Sequence, residues 1–377
     1  MEKFVKQICI ILIAVIFLAA IFGCNRQPGT SSELDSAKFP GSAEQTFELA
    51  LITDFGDIND KSFNQGSWEG LVLYAAENNI SHKYYHPAGN SDSSYLAAID
   101  LAVHSGAKVI VTPGFLFEVS VFIAQDRYPD VYFILIDGVP HSADYSIFKT
   151  GNNVVSILFA ENQAGFLAGY AAVKDGYRRL GFLGGMAVPS VVLFGNGFIH
   201  GAEYAAQELG LAAGSIVINY HYTGHFNATP EVQTMAASWY NDGIEVIFAC
   251  GGALGSSVIS AAEQAGKSVI GVDVDQSGES LSVITSAMKK LQISIYNCIS
   301  SYYLNSFPGG QTLILDVSSG GVGLPMATSR FRTFNSADYN AIFGKLANNE
   351  IPMINNIDIN GSPDAVPVDI ARIIEVR

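Results

Sequence analysis

Residues 47–78 read FELALITDFGDINDKSFNQGSWEGLVLYAAEN: a short apolar run, a loop carrying Asp54, Asp57 and Asp60, then a helical pattern that opens at Ser62. A short apolar run bounded by turn residues reads as a buried strand, and the helix after it makes the pair half of a βαβ unit. The alternation continues through "ISHKYYHP", "YLAAIDLAVHSG", "KVIVTPG" and "VYFILID". After a connecting helix, "ENQAGFLAGYAAVKDG", it starts again with "RRLGFLGG", "GFIHGAEYAAQELG", "GSIVINYHY", "TPEVQTMAASWYNDG", "EVIFACGG", "LGSSVISAAEQAG" and "SVIGVDVDQ". Such alternation predicts an α/β protein of two lobes, each a parallel sheet flanked by helices.

The end of the chain is less regular. "MKKLQISIYNCISSYYLN" predicts a helix, "QTLILDVSS" a strand and "SADYNAIFGKLANNE" a last helix, too few elements for a third lobe. They are expected to return and complete the first two, so that several chain crossings form a multi-strand hinge. The expected division is 46–160 for the first lobe, completed by part of 285–320, and 161–284 for the second, completed by part of 320–377.

Ahead of the body, Lys3 and Lys6 precede an uncharged apolar run from Ile8 to Gly23, the pattern of an export signal. Its residues rise about 24 Å as a helix, short of the roughly 30 Å hydrocarbon core, which favours a signal over a permanent span. The run stops at "IFGC", and from Cys24 to about residue 45 the chain is polar, with Pro, Gly and Ser and no period. This junction resembles a bacterial lipobox. It implies removal of residues 1–23, a lipid on Cys24, and a tether over 24–45 that holds the body at a membrane in the cell envelope, outside the cytoplasm.

A formal charge of -15 repels phosphate backbones, so nucleic acid is excluded as a partner. Hydrophobic residues make up 49% of the chain and charged ones 15%, enough apolar surface to bury two cores. Cys9 leaves with the signal, and Cys250 and Cys298 stand in apolar contexts where cysteine is a small buried hydrophobe. No metal-binding cysteine motif, nucleophile elbow or HExxH is present. His221 and His225 lack a third ligand and read as loop residues, and the glycines of "GNGFIHG" and "GGALGSS" lack a P-loop lysine and read as sites of turns or close backbone approach.

Parallel sheets bind ligands beyond the carboxyl ends of their strands. That rule selects Asp54, Gly114, Asp137, Gly251 and Asp273. Acids gathered at one cleft accept paired hydrogen bonds from hydroxyls or ring N–H groups, the vocabulary of sugar or nucleobase recognition. Ser62 and Gln65 have capping-box spacing, which puts Phe63 and Asn64 in the first helical turn. Phe63 there suits a flat ligand that stacks on it.

In order along the chain, "DFGDINDKSFNQGSWEG", "VTPGF", "FILID", "ENQAGFLAGYAA", "RLGFLGG", "GFIHGAEY", "IEVIFACGGALGSSVISAA" and "IGVDVDQ" followed by "VITSAMKK" resemble the basic membrane protein family. The resemblance runs from about Phe47 to Lys290 and implies a type I periplasmic-binding fold with three crossovers. It also implies a lipid-anchored substrate-binding protein of an ABC importer, with a purine nucleoside as ligand, a permease as partner, and neither cofactor nor catalytic residue. By the same resemblance Asp54, Phe63 and Asn64 hold the base, Asp137 reaches the ligand, and Asp273 with Lys289, in the helix after it, holds the ribose hydroxyls. Phe226 in "YTGHFNATP" matches the aromatic that clamps the base from the other lobe, although Asn227 and Thr229 stand where the family more often has an acid before Pro.

Two other readings compete. Asp54, Asp57 and Asp60 faintly resemble the calcium loop of nucleoside hydrolases, which need a tighter cluster than one acid every third residue. Two-lobe relatives also use aromatic and carboxylate groups for sugars, riboflavin or signalling ligands.

Overall fold

The computed structural model describes residues 46–376, apart from 356, 359 and 360. The export signal, Cys24 and the tether lie outside the described residues.

The body contains two sheets. The first is built from β1 (Leu49–Ile52), β2 (His82–Tyr85), β3 (Val109–Pro113), β4 (Tyr132–Ile136), β5 (Val154–Phe159) and β11 (Gln311–Leu315). The second takes β6 (Arg179–Gly184), β7 (Ile216–Tyr222), β8 (Val246–Cys250), β9 (Ser268–Asp273), β10 (Val283–Lys289), β12 (Val322–Gly323) and β13 (Ala371–Glu375). Helices α1 (Phe63–Asn78), α2 (Asp92–His104) and α3 (Glu118–Arg127) follow the strands of the first lobe. After the crossing come α4 (Glu161–Lys174), α5 (Pro189–Glu208), α6 (Pro230–Asn241), α7 (Leu254–Ala265), α8 (Leu291–Tyr303) and α9 (Ser336–Ala347).

Sheet one has the order β11-β5-β4-β3-β1-β2 and sheet two β12-β10-β9-β8-β6-β7-β13. All pairs are parallel except β10 with β12. Every residue of β1, β3 and β8 is buried, the continuous apolar run expected of strands covered on both faces. Each sheet begins in the same way, with its second strand beside its first and the third on the other side. The order therefore reverses between β1 and β3, and again between β6 and β8, and at such a switch point a crevice opens beyond the carboxyl ends.

Three crossings join the lobes among the described residues. Ala160 leads from β5 into α4, which packs on α5 of the second lobe, and Lys290 leads from β10 into α8, which packs on α1 of the first. Each lobe thus gives the helix after its fifth strand to the other. The third crossing, 316–321, joins β11 to β12. Backbone bonds tie the crossings together: Ala160 N–H to Leu315 O at 3.0 Å and Lys290 N–H to Gly321 O at 2.8 Å. Val317 N–H adds a bond to Gln163 Oε1 at 2.8 Å. The helix expected from Met288 starts at Leu291 instead, so Met288 and Lys289 end a strand, and the expected lobe division at 284 falls inside β10.

Where α4 meets α5, glycine replaces side-chain packing. A Cβ on Gly169 would lie 2.0 Å from Phe198 O, and one on Gly201 2.0 Å from Phe166 O, so the two backbones touch. Small residues four apart on both helices allow this approach. "GNGFIHG" accordingly lies inside α5 as half of the seam and not in a loop before a helix. His221 is likewise in β7, its Nδ1 2.5 Å from Val376 O, and only His225 lies in a loop.

Gly169→Val should lower the free energy of unfolding by about 3 kcal/mol or more, because the overpacked seam must part. Gly344→Ala, in α9 with open space around it, should raise stability by about 0.5–1 kcal/mol. Urea unfolding of both variants checks the contrast.

Candidate functional site

The carboxyl ends of the two sheets face each other across a cleft whose cavity of about 100 Å³ is lined by Asp54, Phe63, Asn64, Asp137, Phe226, Asp273 and Lys289 together. The walls come from both lobes. Asp54 follows β1, Asp137 follows β4, Asp273 ends β9, and Lys289 ends β10. Asp137 and Asp273 stand at equivalent strand ends, and both have left-handed backbone, φ 56° and 65°. A residue with a Cβ is strained there, by about 1–3 kcal/mol, and Asp is among the few that tolerate it.

The helix start differs from the capping box expected of Ser62 and Gln65. Ser62 makes no side-chain cap. Its hydroxyl donates instead across the cleft to Asp273 Oδ2 at 2.5 Å. Gln65 Nε2 turns away to Glu69. Asp60 takes the cap: its carboxylate accepts from Ser62 N at 2.9 Å, Asn64 N at 2.9 Å and Gln65 N at 3.1 Å. Burial nevertheless pushes the Asp60 carboxyl up to about 7, against these bonds.

Asn64 links the loop to the strand. Its Nδ2 donates to Asp54 Oδ1 at 2.7 Å and to Asp60 Oδ2 at 3.2 Å, and Gly56 N–H reaches Asp54 Oδ1 at 2.7 Å. Asp57 is held apart by Asn59 N–H at 2.7 Å. Asn64 thus joins Asp54 and Asp60 while Asp57 is bonded elsewhere, and among the described residues no group of three or more His, Cys, Asp or Glu could hold a metal ion.

Lys289 is the electrostatic centre. Its ammonium donates to Asp137 across the cleft, lies 2.8 Å from Glu161 Oε1, and is 4.0 Å from Asp273 Oδ1. The rings of Phe63, Phe194 and Phe159 surround it at 5.1, 5.2 and 5.6 Å. Burial would lower its affinity for the proton, but Asp137, Glu161 and Asp273 outweigh that and hold the ammonium above the usual lysine range. Burial raises Asp273 against the pull of Lys289 and Ser62, and raises Asp54 as well. Asp137 Oδ1 is buried with no hydrogen-bond partner, an acceptor on the cleft wall left for something else to satisfy.

Aromatic rings form the remaining wall. A Cβ on Gly185 would lie 2.2 Å from Phe226 Cδ1, so this glycine makes room for the ring, whereas Gly114 beside Phe63 is required by its backbone, φ 112°. Gln276 Nε2 donates to Lys61 O at 2.8 Å, a further bond between lobes. The cleft is closed. Cys250 lines it as a buried thiol that burial raises well above its ordinary range. Cys250 and Cys298 are both free and buried.

Sequence reasoning missed Glu161, Asp60 as the cap, Ser62 as a cross-cleft donor, and the ring of Phe194. An acid in the first turn of a helix is so ordinary that Glu161 carried no signal of its own.

The profile of the PnrA-like ABC transporter substrate-binding proteins matches residues 47–358, most of the chain, which therefore belongs to that family. The chain is 29% identical to the ABC transporter nucleoside-binding protein BmpA of Lactococcus lactis subsp. cremoris over 87% of this chain and 93% of that protein. It is 31% identical to Basic membrane protein D of Borreliella burgdorferi, over 73% and 78%. A solute-binding protein of an ABC transporter system from Aeropyrum pernix shares the fold, with a TM-score of 0.72 at 21% identity over 85% of this chain and 99% of that one. The fold is that of a type I periplasmic binding protein, and the chain is a substrate-binding protein, not an enzyme. Such proteins work outside the cytoplasm. Among the described residues no helix is long and apolar enough to cross a membrane.

Because Asp60 is the cap, Asp60→Ala should lower stability by about 1–3 kcal/mol, while Gln65→Ala should stay within about 0.5 kcal/mol of the parent. Chemical unfolding of the two variants decides between Asp60 and the capping box.

Proposed function

We propose that this substrate-binding protein captures a nucleoside, a purine nucleoside above others, and delivers it to the permease of its ABC importer. The base lies between Phe63 and Phe226, with Asp54 and Asn64 at its edge. Asp137, Asp273 and Lys289 take the ribose hydroxyls. A lipid on Cys24 and the tether after it keep the body at the membrane.

One observation carries this reading: the cavity joins aromatic walls to a set of buried acceptors with a single cation, and Asp137 Oδ1 lacks a donor. Ribose hydroxyls supply donors and a base supplies a flat face, whereas a phosphate would place more negative charge among Asp54, Asp60, Asp137 and Asp273. The nucleoside-binding relative from Lactococcus lactis supports the same class of ligand.

Calorimetric titration of the body from about residue 40, stripped of carried ligand by unfolding and refolding, tests it with adenosine, guanosine, inosine, cytidine, uridine and riboflavin. Purine nucleosides should bind tightest and adenosine monophosphate far more weakly. Phe63→Ala, with loss of stacking worth about 1–3 kcal/mol, should weaken binding about 10- to 100-fold, and Asp273→Ala at least tenfold. Absence of heat with every nucleoside on a folded sample would leave a binding protein for another small molecule.

A further inference from the structure

Glu161 opens α4 immediately after the first crossing, at 3% exposure, and nothing in the proposed ligand contacts uses it. Its partner Lys289 belongs to the same lobe, since α4 packs on α5 and touches β10. Asp137 belongs to the other. When the lobes separate, the Lys289–Asp137 bond is the one that breaks, as is Ser62–Asp273, while Glu161 stays 2.8 Å from the ammonium. We propose that Glu161 is the positioning residue of the cleft, holding the Lys289 ammonium in its ligand-ready place through opening and closing. Without it an open cleft would leave the lysine with Asp273 alone, at 4.0 Å.

The charge balance of the cluster makes the role testable. Three acids, Asp137, Asp273 and Glu161, surround one lysine. Burial first, with Asp137 adding to it and Lys289 opposing, pushes the Glu161 carboxyl up to about 8. At neutral pH it therefore carries a proton and meets Lys289 as a neutral acceptor. A ligand that covers the cleft removes water from the acids and favours this neutral form further. Affinity should then be level below about 8 and fall above it.

The ligand test rests on the nucleoside reading and uses adenosine, which has no proton titrating in this range. Between about pH 7 and about pH 9.5 the wild type should lose several-fold in affinity. Glu161→Gln, which keeps an acceptor and cannot ionise, should bind within about twofold of wild type at neutral pH and show no such decline. Glu161→Ala should bind at least about tenfold more weakly at both. Superimposable profiles of wild type and Glu161→Gln, or full affinity in Glu161→Ala, would overturn the proposal.

A second arm needs no ligand and stands even if no nucleoside binds. The native state keeps a proton that the unfolded chain releases above the ordinary value of 4.5. The contribution of Glu161 to stability is therefore lost as pH rises from 4.5 to about 8, and no further beyond that. The melting temperature of Glu161→Gln, relative to wild type, should rise over this window and then stay level. In a double-mutant cycle with Lys289→Met, Glu161→Ala should lower the melting temperature much less than it does in the wild type. Equal losses in both backgrounds would show that Glu161 does not act through Lys289 and would sink the idea.

Discussion

Lys289 is 3% exposed at the meeting point of the lobes, and a cation without water must be balanced where it sits. Its partners come from three separate stretches of chain: carboxylates at the ends of β4 and β9, and the acceptor Glu161 at the start of α4. That requirement fixes how the lobes can close. Asp137 reaches the ammonium from the other lobe, and the same closure seats Ser62 on Asp273 and Lys61 O on Gln276. The aromatic wall follows, because Phe63 enters the cleft one residue after Ser62. The geometry of recognition is thus a consequence of burying one charge.

Much of the fold was legible because parallel sheets leave a simple trace. "LALI", "VIVTP" and "VIFAC" are buried throughout, and turn residues punctuate each run. The acids at the strand ends could be picked out because a switch point selects those positions whatever the ligand. The structure brings Asp54, Phe63, Asn64, Asp137, Phe226, Asp273 and Lys289 to one cavity. What the sequence hid was long-range competition. Ser62 fits a local capping box, but its hydroxyl is taken by an aspartate 211 residues away, and the cap passes to Asp60. "VITSAMKK" offers no glycine or proline before "LQISIYNC", so the change from strand to helix at Lys290 has no local signal. The seam of Gly165, Gly169, Gly197 and Gly201 was hidden for a similar reason: a glycine pattern marks close approach without saying what approaches.

The exchange of helices gives the hinge its character. Because α4 and α8 each belong to the lobe opposite the strand before them, Ala160 and Lys290 carry the connection at single residues. Backbone bonds to Leu315 and Gly321 clamp these residues to the third crossing. Such a hinge can rotate about a narrow line while the sheets stay rigid. The glycine seam between α4 and α5 serves the same end, fixing the helix that carries Glu161 to the body of its lobe, so that Glu161 and Lys289 move as one piece.

Closure then has an electrostatic toll that the ligand can lift. Bringing the lobes together places Asp54, Asp60 and Asp137 of one beside Glu161 and Asp273 of the other, with Lys289 the cation among them. Burial raises Asp54, Asp60, Glu161 and Asp273 above their ordinary range, so each negative charge on them is costly in the closed cleft. A ligand rich in hydroxyl and N–H donors relieves that strain only in the closed state, where acids from both lobes reach it. Its differential affinity is what shifts the population. An anionic ligand would add to the repulsion instead. On the proposed nucleoside reading, selectivity against phosphorylated compounds and coupling of binding to closure are therefore one property, set by the excess of buried acids over a single lysine.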